Sequence, residues 1–303
     1  MNEASAWRIE LARSIAGVYA QHPQICMAAL GGSAARGLAD AYSDMDIAIY
    51  WHTLDHDWLA APPLQAVGGR RFTFRTLFEG QIVVEQYTLG AVKFDVAHFA
   101  LSWLEQSVAA VLEQGSLDDE KQEVLDGFLT AIPFYGIHEY EAWRTRIAAY
   151  PNTLGEAMVR RHLVFYPQWV LEQHGLARGD LLSFYSTLCD MMRNLLGVLA
   201  GLNHLYMSME KPKRSADLLR RMPIQPANVA ERFDALLAGD RAAAPAALAT
   251  LIDETIGLVE QHMPNVDTSR ARQMQQFVVQ AVEYAPPLAN TPTRPPVPTT
   301  SAK

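Results

Sequence analysis

The residues of this chain that could do chemistry sit in three short stretches: Gly31-Gly32-Ser33, Asp44-Met45-Asp46, and the lone Asp95. Ile25 to Leu30 is an apolar run of strand length that ends at the glycine pair. Glycines there let backbone approach a ligand closely and present N–H groups at the start of the next element. Ser33 adds a hydroxyl. Met45 to Trp51 alternates with a period of two, so Asp44 and Asp46 share one face while Met45, Ile47 and Ile49 share the other. Ala91 to Phe99 alternates as well and carries Asp95 in its middle, where aspartate is depleted. Adjacent carboxylates repel, and a cation removes that cost. Mg²⁺ fits the residue types, because it is bound by a few carboxylates together with phosphate oxygens. An isolated Asp-x-Asp reads as a solvated pair at a strand entrance; the glycine turn before it and the acidic strand after it supply the missing context.

In this order, Gly32-Ser33, Asp44-Met45-Asp46 and Asp95 resemble the motif of the nucleotidyltransferase superfamily, which shares its catalytic fold with DNA polymerase beta. The resemblance implies that Gly31, Gly32 and Ser33, with Arg36 one turn on, hold the triphosphate of ATP or another nucleoside triphosphate. It implies two Mg²⁺ ions on Asp44, Asp46 and Asp95, and a base that takes the proton of an attacking hydroxyl. Asp95 and Glu85 are the two candidates for that base. Glu85 lies in the alternating stretch Gln81 to Leu89, where a solvated strand glutamate is an equal reading. Lys93, two residues before Asp95, reads as a surface lysine near the phosphates. His98, on the opposite face from Asp95, reads as a packed histidine.

The rest of the chain supplies the elements that position these groups. Ala4 to Gln21 has helical apolar spacing, and Arg70 to Phe78 and Gln81 to Leu89 alternate as a hairpin turning at Glu79-Gly80. Helical patterns follow from about Trp103, punctuated by Pro and Gly in the manner of helix ends. Residues 1–113 are thus expected to form a mixed α/β sheet domain with flanking helices. Residues 114–284 are expected to form an all-α bundle that closes over the nucleotide, and the Pro/Thr-rich 285–303 a disordered tail. A sheet with three carboxylates followed by such a bundle is similar to the aminoglycoside nucleotidyltransferases, in particular the streptomycin/spectinomycin adenylyltransferases. Their long helix, lysine-bearing turn and following helix resemble Leu202 to Leu219, which implies that Lys211, or next Lys213, reaches the triphosphate. A solvated basic loop is the competing reading.

Composition narrows the partners. The formal net charge is −8, which suits a small cationic acceptor such as an aminoglycoside better than a polyanion, so nucleic acid is the less expected partner. No apolar run reaches the length of a membrane span, and the start of the chain lacks the pattern of a secretory signal. The two cysteines, Cys26 and Cys189, read as reduced core thiols of a cytoplasmic protein. The expected activity is transfer of a nucleoside monophosphate to a hydroxyl of a small acceptor, with an antibiotic-resistance role implied by the resemblance alone. A transferase acting on tRNA or protein, and a silent nucleotide-binding module, are the alternatives. Oligomeric state is not legible.

Overall fold

A computed structural model describes residues 1–208 and 215–279. Its first half is a six-stranded mixed sheet. α1 (Glu3–Tyr19) leads into β1 (Ile25–Leu30), a short helix α2 (Gly32–Ala35), β2 (Met45–Trp51) and α3 (His56–Ala60). A meander of β3 (Arg70–Leu77), β4 (Ile82–Leu89) and β5 (Val92–Ala100) follows. The helices α4 (Leu101–Leu112) and α5 (Asp119–Thr130) then lead to β6 (Ile132–Tyr135). The strand order is β3-β4-β5-β2-β1-β6. β2 and β5 run parallel, and the other neighbours are antiparallel.

Both faces of the sheet are covered at its centre, while the edge strand β3 stays largely exposed; this explains why β1 is buried along its whole length and reads as a continuous apolar run. One face packs Met45, Ile47, Ile49, Phe94 and Val96 against Ala12, Ile15 and Tyr19 of α1. The other packs Met27, Ala29, Tyr50 and Phe99 against Leu104 and Val108 of α4 and Leu125 and Phe128 of α5. Tyr140 and Ile147 of α6 (Ile137–Ala148) join the second layer.

The expected boundary at residue 113 does not match this packing. β6 joins the edge of the sheet beside β1, although Ile132-Pro133 reads as a helix breaker. A separate apolar cluster begins only at Val159, in α7 (Asn152–His162). It surrounds α8 (Leu181–Leu202), whose C-terminal half is buried on nearly every side. α9 (Ser215–Leu219), α10 (Val229–Ala238), α11 (Ala244–His262) and α12 (Ser269–Gln276) complete that helical layer. Cys189, expected in the core, lies on the exposed face of α8. Residues 280–303, including the expected tail, lie outside the described residues. Among the described residues, no helix is long and apolar enough to cross a membrane.

α7 and α8 pack at backbone distance because glycines meet between them. A Cβ on Gly201 would lie 2.7 Å from Gly155 O and 2.8 Å from Val159 Cγ2. Backbone cannot retreat without separating the helices. Gly201→Ala is therefore expected to destabilise the protein by about 1–3 kcal/mol, read as a lower midpoint in urea unfolding. An unchanged midpoint would show that the contact is loose.

Candidate active site

The site is built where β1, β2 and β5 end together. Gly31 donates its N–H to Asp46 O at 2.7 Å, which ties the end of β1 to β2. Gly32 has φ +64, and a Cβ there would lie 1.7 Å from Asp46 Oδ2. Glycine is needed for both reasons: the left-handed conformation and the carboxylate pressed against it. Asp46 and Asp95 are direct partners in the parallel β2–β5 ladder. Asp44 enters β2 two residues earlier, and its carboxylate belongs to the same cluster. One oxygen from each of Asp44, Asp46 and Asp95 lies within 4.8 Å of the others, all three partly buried.

α1 holds the loop between Ser33 and Asp44 from behind. Ser5 Oγ accepts from Ala39 N at 3.1 Å, and Asn2 donates to Ala39 O at 2.9 Å. The buried Arg8 guanidinium donates to Ser43 O through Nε at 3.2 Å and Nη2 at 2.9 Å, one residue before Asp44. Asp40 closes the loop by accepting from Ser43 Oγ and Tyr42 N. No motif pointed to Arg8. It sits on a helix face that otherwise reads as core, and a buried arginine there needs acceptors.

Around the carboxylates the hydrogen bonding is dense. Gln86 Nε2 donates to Asp95 Oδ1 at 2.7 Å. Lys93 Nζ donates to Asp95 Oδ2 at 2.7 Å and Asp44 Oδ2 at 3.1 Å, closer to the cluster than a surface lysine would be. Burial raises the Asp44 carboxyl, but the Lys93 hydrogen bond and charge outweigh it and leave the group below the usual carboxylate range. Gln86 was legible in principle. The turn pairs Leu89 with Val92, and counting back along the hairpin sets Gln86 opposite Asp95.

That same register removes Glu85 from the site. Glu85 pairs with Val96, whose side chain faces α1, so the glutamate projects through the opposite side of the sheet. It is fully buried there and accepts from Tyr19 Oη (3.2 Å), Tyr87 Oη (2.8 Å), Arg71 Nη1 (2.7 Å) and His98 Nε2 (3.0 Å). Trp51 Nε1 donates to His98 Nδ1 at 3.1 Å, which leaves the proton of the neutral ring on Nε2 to bond Glu85. Glu85 thus organises a closed structural network, and the base role expected for it is withdrawn.

The carboxylates open into a cavity of about 590 Å³ between the sheet and the helical layer. Gly31, Gly32, Ser33 and the exposed Arg36 line it on one side, with Tyr206, Met207, Ser208, Asp217 and Arg221 opposite. Arg221 donates to Asp126 Oδ1 at 2.8 Å, joining the two layers across the cavity. Lys211 and Lys213 lie outside the described residues. A second group of possible ligand atoms, from Cys26, His52 and Glu139, lies at the far end of β1. There the Cys26 thiol donates to Tyr50 O, and burial pushes it up to about 12, away from the thiolate a metal requires.

No protein-family model matches the chain, and no curated protein matches it in sequence. Among solved structures it is similar to a nucleotidyltransferase-like protein from Exiguobacterium sibiricum 255-15, at 11% identity and a TM-score of 0.37. That alignment covers 84% of this chain and 78% of the other. A likeness of that size has no bearing on function, so any functional reading stands on the site itself.

Two outcomes are expected. Gly32→Ala should displace the Asp46 carboxylate and weaken Mn²⁺ binding by about ten-fold or more, measured by titration; unaltered binding would mean Gly32 does not shape the cluster. Glu85→Ala should cost about 3–5 kcal/mol, because it strands the buried Tyr19, Tyr87 and His98 and removes the carboxylate from the half-buried Arg71. Burial raises the Glu85 carboxyl, but its bonds to His98, Arg71 and Tyr87 prevail and hold it below its ordinary value. Burial holds His98 below its ordinary value against the opposing hydrogen bond and charge of Glu85. Both groups then favour the fold at neutral pH. The His98 contribution declines as pH falls below the ordinary histidine value, and that of Glu85 as pH falls from its ordinary value through its depressed one. Without Glu85 to oppose its burial, His98 is depressed further, so urea midpoints of Glu85→Ala should fall more between pH 7 and pH 5 than those of the native chain.

Proposed function

We propose that the chain is a nucleotidyltransferase that moves a nucleoside monophosphate from a nucleoside triphosphate, ATP by resemblance, to a hydroxyl of a small cationic acceptor. The observation that carries this reading is the convergence of Asp44, Asp46 and Asp95 beside a glycine turn at the mouth of one cavity. Three carboxylates offer hard oxygen donors at a spacing that fits Mg²⁺ and does not suit a soft metal.

Asp44 and Asp46 would hold the metal, with Asp95 as third ligand or as base. Bound there, Mg²⁺ ions would lower the pKa of the acceptor hydroxyl and stabilise charge on the attacking and leaving oxygens. Gly31, Gly32 and Ser33, with Arg36 at the rim, are the groups available to the triphosphate. The acceptor oxygen attacks the α-phosphorus, the bond from that phosphorus to the pyrophosphate oxygen breaks, and the hydroxyl proton passes to Asp95 or to solvent. Gln86 fixes one Asp95 oxygen and so sets which lone pairs remain. With Glu85 behind the sheet, Asp95 is the base candidate that touches the reacting space.

The cavity wall also bears on the acceptor. Asp40, Glu123, Asp126 and Asp217 line it in addition to the three cluster aspartates, against Arg36 and Arg221 among the described residues. Such a wall attracts a polyamine-like sugar and repels the backbone of tRNA. An aminoglycoside is the acceptor class that the resemblance suggests and the charge favours, and a role in antibiotic resistance would follow from it.

The test is incubation with α-labelled nucleoside triphosphate and Mg²⁺ against a panel of aminoglycosides, tRNA and proteins. Label is expected on a small cationic acceptor, with Asp44→Asn and Asp46→Asn lowering kcat/KM by about a hundred-fold or more. Label on tRNA or protein would overturn the acceptor assignment. Tight nucleotide binding without any transfer would favour a silent binding module.

A further inference from the structure

Lys93 occupies a position that matters for any cation entering the cluster. Its ammonium bridges two carboxylates that reach the site from different strands, Asp44 at the entrance of β2 and Asp95 in β5. Asp95 is then engaged on both oxygens, by Gln86 on Oδ1 and by Lys93 on Oδ2. A divalent ion held by the three aspartates would need some of these same lone pairs. It would also lie only a few ångströms from the ammonium charge. The two cations therefore compete for the cluster. The lysine side chain is 42% exposed on a flexible stem, so it can leave its partners without disturbing the strand.

We infer that Lys93 is the internal counter-cation of the cluster, and that a divalent ion must displace it to bind. This rests on the reading of Asp44, Asp46 and Asp95 as a metal site. The lysine serves two ends. It neutralises carboxylate repulsion and so keeps Asp44 and Asp95 converged. It also holds the affinity for a bare metal ion low, because binding must first break two charge-assisted hydrogen bonds. A metal that arrives with a triphosphate escapes this penalty, since the displaced ammonium finds phosphate oxygens as new acceptors. Lys93 is thus a positioning residue that couples metal binding to nucleotide binding.

The experiment is titration of the full chain with Mn²⁺ alone, followed by electron paramagnetic resonance, for the native protein, Lys93→Met, Lys93→Gln and Lys93→Arg. Lys93→Met and Lys93→Gln should bind Mn²⁺ roughly three- to ten-fold more tightly than the native chain, the discount reflecting the exposure of the pair. Lys93→Arg should stay near the native value. With a non-hydrolysable nucleoside triphosphate present, the advantage of the neutral variants should shrink or reverse. Thermal melts provide a folding check: the neutral variants should melt lower without metal and gain more from Mn²⁺ than the native chain does. Equal or weaker Mn²⁺ binding by both neutral variants overturns the role of Lys93 while leaving the metal reading in place. Failure of the native chain and all variants to bind Mn²⁺, with or without nucleotide, overturns the metal reading itself.

Discussion

Electrostatic repulsion among three aspartates is the constraint around which the sheet half of the molecule is arranged. Asp46 and Asp95 sit directly opposite one another on parallel neighbours, and Asp44 lies one strand period away on the same face. Two like charges a few ångströms apart repel, and partial burial strengthens the repulsion. The fold offsets this repulsion by local means. Lys93 bridges two of them and Gln86 donates to one, while the missing side chain of Gly32 leaves room for the third. Such an arrangement is costly for stability alone, a cost that the proposed metal ion would offset.

The rest of the sheet half makes that convergence rigid. Buried β2 and β5 have few alternative registers, since a slip by one residue would drive Asp46 and Asp95 into the apolar layer under α1. α1 fastens the loop before Asp44 through Ser5, Asn2 and Arg8. Behind the sheet, Glu85 and its four partners tie β4, β5 and α1 to the Arg71 side of the hairpin. The site face and the structural face thus carry separate polar networks, each satisfied on its own side. The helical layer contributes the far wall of the cavity, and Arg221 with Asp126 spans the gap.

Much of this was legible from residue order. The apolar run Ile25–Leu30, the alternation after Asp44 and the period that aligns Lys93 with Asp95 follow from strand geometry alone. Alternation along β4 alone does not say which face Glu85 takes; the pairing across the turn at Gly90 does, and it puts the neighbouring Gln86 at the site. β6 is hard to read from sequence because proline argues against a strand, yet at a sheet edge it costs little. Arg8 and Arg221 carried no local pattern, since their partners are tens of residues distant in sequence. Cys189 reads as core because α8 is apolar on most sides, and helical phase turns it outward.

The most direct measurement is a crystal structure of the chain with Mn²⁺ and a non-hydrolysable nucleoside triphosphate, with the metal located by its anomalous scattering. The account predicts anomalous density between the carboxylates of Asp44, Asp46 and Asp95, phosphate oxygens against Gly32 and Ser33, and Lys93 withdrawn from Asp44. Metal bound elsewhere, or a triphosphate seated away from the glycine turn with the Lys93 bridge intact, would contradict it.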